Sequence, residues 1–188
     1  MKALGETYKG TEASTGGDFE RLPAGGYVVR ITQVTDLPSK EYLDVVYDIA
    51  EGEHKGFYSD QWSKDHTFAH HFFMSYKESA LGMFKGRLRA IDESNNTNFE
   101  EMAAVGLKEQ ALVGKIVGVV VGYEEYLSNQ GEIRQRIAVR QVLPAAKIRV
   151  GEFKIPAVKP LKETPATPQD AAAAIPEGFI WDSGDTPF

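Results

Sequence analysis

The feature that most constrains the fold of this chain lies between residues 111 and 142. Two segments in which apolar residues recur at every second position are separated there by a short polar segment. Within residues 111–126, Val117, Val119 and Val121 occupy alternate positions, and Gly118 and Gly122 lie on the other face of the predicted strand. Alternation with a period of two predicts a strand with one buried face, and glycines inside it favour a curled or bulged sheet. Residues 128–131 predict a hairpin turn, so residues 132–142 are predicted to return as the neighbouring strand.

The rest of the body contains further strand patterns and one helical pattern. Residues 27–34, 42–49 and 57–62 are rich in β-branched and aromatic side chains, which predicts three more strands. A helix between the third and fourth strands is predicted by apolar residues at helical spacing, namely Leu81, Phe84, Leu88 and Ile91. This order predicts a mainly β fold, most simply a five-stranded OB-fold-like barrel with a helical insert between strands 3 and 4. A small β-sandwich is the alternative.

Composition divides the chain into a folded body and a tail. Residues 156–176 contain five prolines and a run of four alanines, and a segment of this kind cannot recover its ordering entropy by burial. The predicted segments are a flexible N-terminal arm at 1–17, an OB-fold-like domain at 18–154, a Pro/Ala-rich linker at 155–176 and an acidic tip at 177–188. The C-terminal tail is predicted to be disordered.

Charge and cysteine content limit the chemistry available to the chain. Half of the formal net charge of −6 lies in residues 155–188, so any site for an anionic partner must be a local patch of the body. The acidic pairs Glu100-Glu101 and Glu124-Glu125 are interpreted as solvated surface. The sequence has no cysteine, which excludes disulfides and thiolate metal sites and fits a reducing cytoplasm. Its apolar runs are too short to span a bilayer, so we expect a cytoplasmic protein with no membrane partner.

The returning strand carries an unusual share of the positive charge. Residues 130–154 contain six Lys or Arg and two Glu, and Arg134, Arg136 and Arg140 share one predicted strand face. Such a stripe suits single-stranded nucleic acid, since guanidinium groups follow the phosphates and aromatic rings stack on the bases. The other candidate cations and rings are Arg30, Tyr42, Lys55, Tyr58, Trp62, Lys115, Tyr123, Tyr126 and Lys147. An ordinary solvated strand face is the alternative interpretation.

Motifs for catalysis or metal binding are weak. His66 and His70 are four residues apart, but the sequence has no HExxH pattern, and local packing is the favoured interpretation. A metal-dependent DNA-processing enzyme built on Asp36, Asp48 and Asp60 would also lack a recognisable motif. The sequence has neither a dinucleotide nor a P-loop glycine pattern. We therefore predict no catalytic residues, no metal and no cofactor.

The end of the chain carries a short and distinctive motif. Residues 181–188 read Trp-Asp-Ser-Gly-Asp-Thr-Pro-Phe, in which large apolar side chains beside carboxylates suit a basic, apolar pocket of a partner. The motif resembles the acidic tip of bacterial single-stranded DNA-binding proteins, which typically ends in several Asp followed by a residue and Pro-Phe. Here Ser183 and Gly184 separate the two aspartates. The residues implied to bind a partner are Trp181, Asp182, Asp185, Pro187 and Phe188.

Segments of the body carry a second resemblance. Residues 19–34 contain Leu-Pro-x-Gly-Gly-Tyr before an alternating strand, and residues 111–115 lead into the alternating residues 117–123. With the turn at residues 129–131 and the Arg-bearing return strand, they resemble a phage-encoded family of viral single-stranded DNA-binding proteins. The resemblance covers most of the body.

The two resemblances imply a non-enzymatic protein. Its body would coat transient single-stranded DNA during replication or recombination in the host cell, and its tip would recruit replication, recombination and repair proteins. The alternatives are a recombination mediator or annealing protein, a metal-dependent DNA-processing enzyme, and an adaptor β-domain that binds only protein. The sequence leaves the oligomeric state open, a homodimer included.

Overall fold

The computed structural model describes residues 21–59 and 69–161. The strands in these residues are β1 (Gly25–Leu37), β2 (Tyr42–Ile49), β3 (His71–Ser75), β4 (Ile116–Leu127) and β5 (Ile133–Leu143). The helices are α1 (Leu81–Asn95), α2 (Phe99–Met102) and α3 (Ala145–Arg149), with short 3-10 turns at Pro38–Lys40, Glu78–Ala80 and Glu109–Leu112.

The strands form one antiparallel, open sheet in the order β3-β2-β1-β4-β5, and α1 lies between β3 and β4 in sequence. The predictions of a mainly β fold, five strands and a helical insert between the third and fourth strands are therefore confirmed. Within the described ranges, no helix combines the length and the apolar character needed to cross a bilayer.

The main core lies between α1 and the face of the sheet that we call the inner face. Alternation supplies this face with buried side chains. In β1 an irregularity between Ile31 and Gln33 shifts the alternation by one residue. The buried side chains are Val29, Ile31 and Val34 of β1, Leu43, Val45, Tyr47 and Ile49 of β2, Phe72 and Met74 of β3, and Val117, Val119 and Val121 of β4. Leu88, Ala90 and Ile91 of α1 pack against them. Fully burying one such Val, Leu or Ile side chain contributes about 1.5–3 kcal/mol.

The end of α1 is tied to the start of β4 by polar contacts. The Asn95 side chain donates to the Ile116 carbonyl at 2.7 Å and accepts the Ile116 N–H at 2.9 Å. The helix ends because Asn96 adopts a left-handed conformation with φ of 54°, which asparagine tolerates better than most residues. These contacts place the β4–β5 hairpin relative to the helix.

The prediction of a third strand at residues 57–62 is wrong for residues 57–59, the part of this range that the structure describes. Phe57 and Tyr58 lie in turns, and the third strand of the sheet is β3. Gly52 and Gly56 adopt φ of 86° and 76°, which bends the backbone into successive turns. The Asp48 carboxylate then accepts the Tyr58 N–H at 2.9 Å, so this segment bonds locally instead of joining the sheet.

The outer face of the sheet is covered in part by α3 and the residues that follow it. Ile148 of α3 packs with Val28 and Val120 in a small second core. The close approach depends on Gly118, because a Cβ atom there would lie 2.5 Å from Ile148 Cγ1 and 2.8 Å from the Leu143 carbonyl oxygen. Distances this short are below ordinary van der Waals contact.

Residues 153–161, which we call the strap, continue along the outer face. A Cβ atom at Gly26 would lie 2.6 Å from the Phe153 ring, and one at Gly122 would lie 2.7 Å from Pro156 Cγ. Glycine is therefore required at both positions for the strap to lie where it does. The strap includes the start of the predicted linker, and three of its residues there, Pro156, Lys159 and Leu161, contact β4.

Candidate functional site

The candidate site lies on the outer face of the β4–β5 hairpin. In this hairpin Glu124 is paired with Arg136, and Tyr126 is paired with Arg134. Val121 points into the main core, so alternation places Glu124 and Tyr126 on the opposite, outer face. Directly paired residues share a face, which brings both arginines to the same surface.

Three cations contact the carboxylate of Glu124. Arg136 donates from Nε at 2.8 Å, and its Nη2 lies 2.7 Å from the same oxygen, Oε1. Arg140 Nη1 lies 3.4 Å and Lys159 Nζ lies 3.7 Å from the other oxygen, Oε2. The Glu124 side chain is 15% exposed, against 47% for Arg136 and for Lys159. The carboxylate is thus the more buried partner, and the cations around it remain accessible to an anionic ligand.

Arg140 reaches this cluster through a β-bulge. Val121 pairs with Val139 and Val120 pairs with Gln141, which leaves Arg140 as the extra residue of β5. Arg136 and Arg140 share one face of β5, as predicted. In the residues that follow Arg140, the bulge reverses which side chains point inward and which point outward. Val142 therefore packs against the core, whereas Gln141 is exposed.

Lys159 is held at the cluster by the backbone of the strap. Its N–H donates to the Tyr123 carbonyl at 3.0 Å, and its carbonyl accepts the Glu125 N–H at 2.9 Å, as a short parallel bridge to β4. The Leu161 N–H donates to the Glu125 carboxylate at 3.2 Å. These bonds fix the position of Lys159 although it lies outside the named strands.

An aromatic ring completes the surface. The guanidinium carbon of Arg136 lies 5.6 Å from the centre of the Tyr126 ring, within the range of a cation–π contact. Arg134, the residue paired with Tyr126, forms an ion pair with Glu132 at 3.1 Å. The surface therefore combines several cations with one ring. We call it the hairpin surface, and its residues are Glu124, Tyr126, Arg134, Arg136, Arg140 and Lys159.

The other cations predicted to bind nucleic acid are not gathered here. Arg30 donates to the Gly114 carbonyl at 3.0 Å, and Lys115 lies 5.7 Å from the centre of the Phe99 ring. Lys55 is exposed in the turns after β2, and Lys147 is exposed on α3.

The predicted stacking rings are divided between the two faces. Tyr123 lies on the inner side, where its hydroxyl donates to the Leu22 carbonyl at 3.1 Å. Tyr58 is buried, with its ring 4.9 Å from that of His70, so it is not offered to a ligand; burial also raises its pKa. Tyr42 makes an edge-to-face contact with Phe73 at 5.1 Å. Burial raises the pKa of Tyr42, and the negative charge of the nearby Asp44 raises this pKa further.

Several predicted residues lie outside the described ranges. They are Trp62 and the tip residues Trp181, Asp182, Asp185, Pro187 and Phe188.

The carboxylates considered for a metal-dependent enzyme have separate local partners. Asp36 accepts the Tyr76 hydroxyl at 2.9 Å, and Asp48 accepts backbone N–H groups. His66 and Asp60 lie outside the described ranges. Among residues 21–59 and 69–161, no three acidic or histidine side chains are grouped so as to hold a metal ion.

Comparison with known proteins does not assign this chain to a family. No protein-family model matches this sequence, and no curated protein shows significant similarity to it.

Two members of the hairpin surface were not predicted from sequence. Two adjacent glutamates predict a solvated surface, and only the pairing of Glu124 with Arg136 reveals the role of Glu124. Lys159 lies in a Pro-rich segment without periodicity, so no local signal indicated that it would contact β4.

Proposed function

We propose that this chain is a non-enzymatic single-stranded DNA-binding protein and that the hairpin surface contacts the DNA. One observation carries the proposal. Arg136, Arg140 and Lys159 come from a strand, a bulge and the strap, and they converge beside Tyr126 in a protein of net charge −6. Such a local concentration of cations with a ring is the combination that single-stranded nucleic acid requires.

The proposed mode of binding assigns separate roles to cations and ring. Arg134, Arg136, Arg140 and Lys159 contact successive phosphates, and the Tyr126 ring stacks on a base. Stacking of a base on an aromatic side chain contributes about 1–3 kcal/mol and tolerates any sequence. Binding therefore follows the charge and the flexibility of the strand instead of its base sequence.

We also propose that the sheet curls into a partly open OB-type barrel. The two edge strands, β3 and β5, have Cα atoms within 8 Å of each other, and α1 contacts both. Barrels of this type bind oligonucleotides on the face of strands 2 and 3, through the loop between strands 1 and 2, and through the loop between strands 4 and 5. The hairpin surface adjoins that loop, which supports the assignment of the DNA-binding face.

The acidic tip is proposed to recruit partner proteins. Residues 181–188 combine Trp, Phe and carboxylates without Lys or Arg, a composition suited to a basic, apolar pocket. In this proposal the body binds DNA during replication or recombination, and the tip brings other proteins to the same strand.

Fluorescence anisotropy with a labelled oligo-dT tests the proposal directly. We expect tight binding to oligo-dT that weakens steeply as salt rises, and little binding to duplex DNA. The double variant Arg136→Ala/Arg140→Ala should bind about 100-fold more weakly, since two charge-assisted hydrogen bonds of about 1.5 kcal/mol each are lost. Its salt slope should fall by about 1.4, at about 0.7 for each lost phosphate contact.

A matched control removes two cations elsewhere. Lys85→Ala/Arg89→Ala changes the net charge equally on the exposed surface of α1, and its affinity should stay near that of the wild-type chain. Equal weakening of both variants would point to general charge and not to the hairpin surface. Absence of oligo-dT binding at low salt would contradict the proposed function itself.

A further inference from the structure

The carboxylate of Glu124 occupies the donors that a phosphate would need. Arg136 presents Nε and Nη2 to one oxygen at 2.8 and 2.7 Å, while Arg140 and Lys159 approach the other. The guanidinium fork matches carboxylate and phosphate alike. A phosphodiester that binds here must therefore compete with a carboxylate of the protein.

The same arrangement recurs at the neighbouring cation. Arg134 forms its ion pair with Glu132, a residue of the same hairpin. The three arginines of the hairpin surface thus each have a glutamate as a partner. Of the two glutamates, Glu124 is the one shared by several cations, so its charge has the larger influence on an incoming phosphate.

We propose that Glu124 is an internal competitor for phosphate, which lowers the affinity of the hairpin surface for single-stranded DNA. This inference rests on the proposed function and adds the residue that regulates the same site. The contacts from Arg140 and Lys159 to Glu124, at 3.4 and 3.7 Å, are longer than optimal charge-assisted hydrogen bonds. These two cations can therefore exchange the carboxylate for a phosphate at little loss of contact.

A purely structural role for Glu124 makes the opposite prediction. If the carboxylate served mainly to hold Arg136, Arg140 and Lys159 in position, then its removal would scatter the cations and weaken DNA binding. The bulge and the backbone bonds of the strap already fix where these side chains start. Positioning therefore does not depend on Glu124 alone, and the effect of its charge should dominate.

The decisive experiment compares oligo-dT binding by the full chain, by Glu124→Gln and by Glu100→Gln. Gln is isosteric and keeps an oxygen acceptor for Arg136, but it removes the charge. We expect Glu124→Gln to bind several-fold more tightly and to show a salt slope steeper by about 0.7, equivalent to one further phosphate contact. Glu100→Gln makes the same charge change at a carboxylate shared by Lys85 and Arg89, and it should leave affinity unchanged.

Each result has a distinct meaning. Unchanged or weaker binding by Glu124→Gln, with wild-type binding intact, would overturn the inference and leave the proposed function standing. Failure of every chain to bind oligo-dT would reject the proposed function instead. Equal tightening by Glu100→Gln would show that only net charge matters and would also overturn the inference.

A second variant guards against a folding defect. Thermal unfolding of Glu124→Gln should be followed beside the binding titration. If that variant does not fold, then Glu124→Ala provides the same test, because it also removes the charge. An affinity above wild type supports competition in either variant, and an affinity at or below wild type contradicts it.

Discussion

Two carboxylates of this protein each contact several cations, and they differ in how their partners are assembled. The Glu100 carboxylate accepts a hydrogen bond from Arg89 Nε at 2.8 Å and lies 3.3 Å from Lys85 Nζ. These two cations are one turn apart on α1. Glu124 contacts cations from β5, from its bulge and from the strap. The first cluster is local to α1 and the start of α2, whereas the second exists only when the sheet and the strap have come together.

This difference explains why only one cluster suggests a binding site. Ion pairs between exposed side chains of neighbouring helices are common on solvated surfaces and contribute little. The hairpin surface instead brings separate segments to one carboxylate and adds the Tyr126 ring. The number of cations around an acid is therefore less informative than the number of chain segments that supply them.

Among the single substitutions at the hairpin surface, removal of the Tyr126 ring has the largest expected effect on DNA binding. We expect Tyr126→Ala to weaken oligo-dT binding about tenfold, because about 1–3 kcal/mol of base stacking is lost. Tyr123→Phe should leave binding unchanged, since the Tyr123 hydroxyl bonds to Leu22 on the inner side. Anisotropy titrations measure both. Equal affinities for Tyr126→Ala and wild type would mean that this ring stacks on no base.

The effect of replacing glycine on the free energy of unfolding should differ between Gly118, which lies under α3 on the outer face, and Gly86 of α1, which lies on the inner side. Gly118→Ala should lower the free energy of unfolding by about 1–3 kcal/mol, since its Cβ would meet the Leu143 carbonyl and Ile148. Gly86→Ala on α1 should instead raise it by about 0.5–1 kcal/mol, because its Cβ would enter open space within a helix. Urea denaturation distinguishes the two signs. A neutral result for Gly118→Ala would show that α3 is not packed as closely as described.

The smallest effect concerns the pH dependence of Glu100. The side-chain hydrogen bond from Arg89, with that from Lys85, lowers the pKa of Glu100 from 4.5 to about 2. A lowered pKa in the folded state stabilises the fold above pH 4.5, and this contribution is lost as pH falls towards 2. Wild type should therefore melt slightly above Glu100→Gln at pH 7, and the gap should close towards pH 2. A gap that widens as pH falls would contradict this assignment.

The predictable parts of the fold are those determined by local pattern. Alternation in β4 and β5, the turn between them and the spacing of Leu88 and Ile91 in α1 predicted elements that are present. The start of β4 was predicted at residue 111 but lies at Ile116, since Gly114 adopts φ of 82°.

The remaining features depend on contacts between distant segments. Phe57 and Tyr58 have strand-forming side chains, yet they pack in an aromatic group around Tyr47 and His70 instead of joining the sheet. The bulge at Arg140 and the approach of Lys159 to Glu124 likewise follow from register and from the strap. The local order of residues does not determine which distant segments come into contact. The sequence therefore predicts the arginine stripe but not its partners Glu124 and Lys159.

The strap has a consequence for the order in which the chain folds. Its path is formed by Gly26 of β1 and Gly122 of β4, two strands that are far apart in sequence. Because neither strand alone offers the whole path, we expect the strap to dock after β1 and β4 have paired. The strap is also synthesised after both strands, so translation and assembly proceed in the same direction. The strap, which is the last of the described segments to leave the ribosome, would then supply Lys159 and complete the hairpin surface.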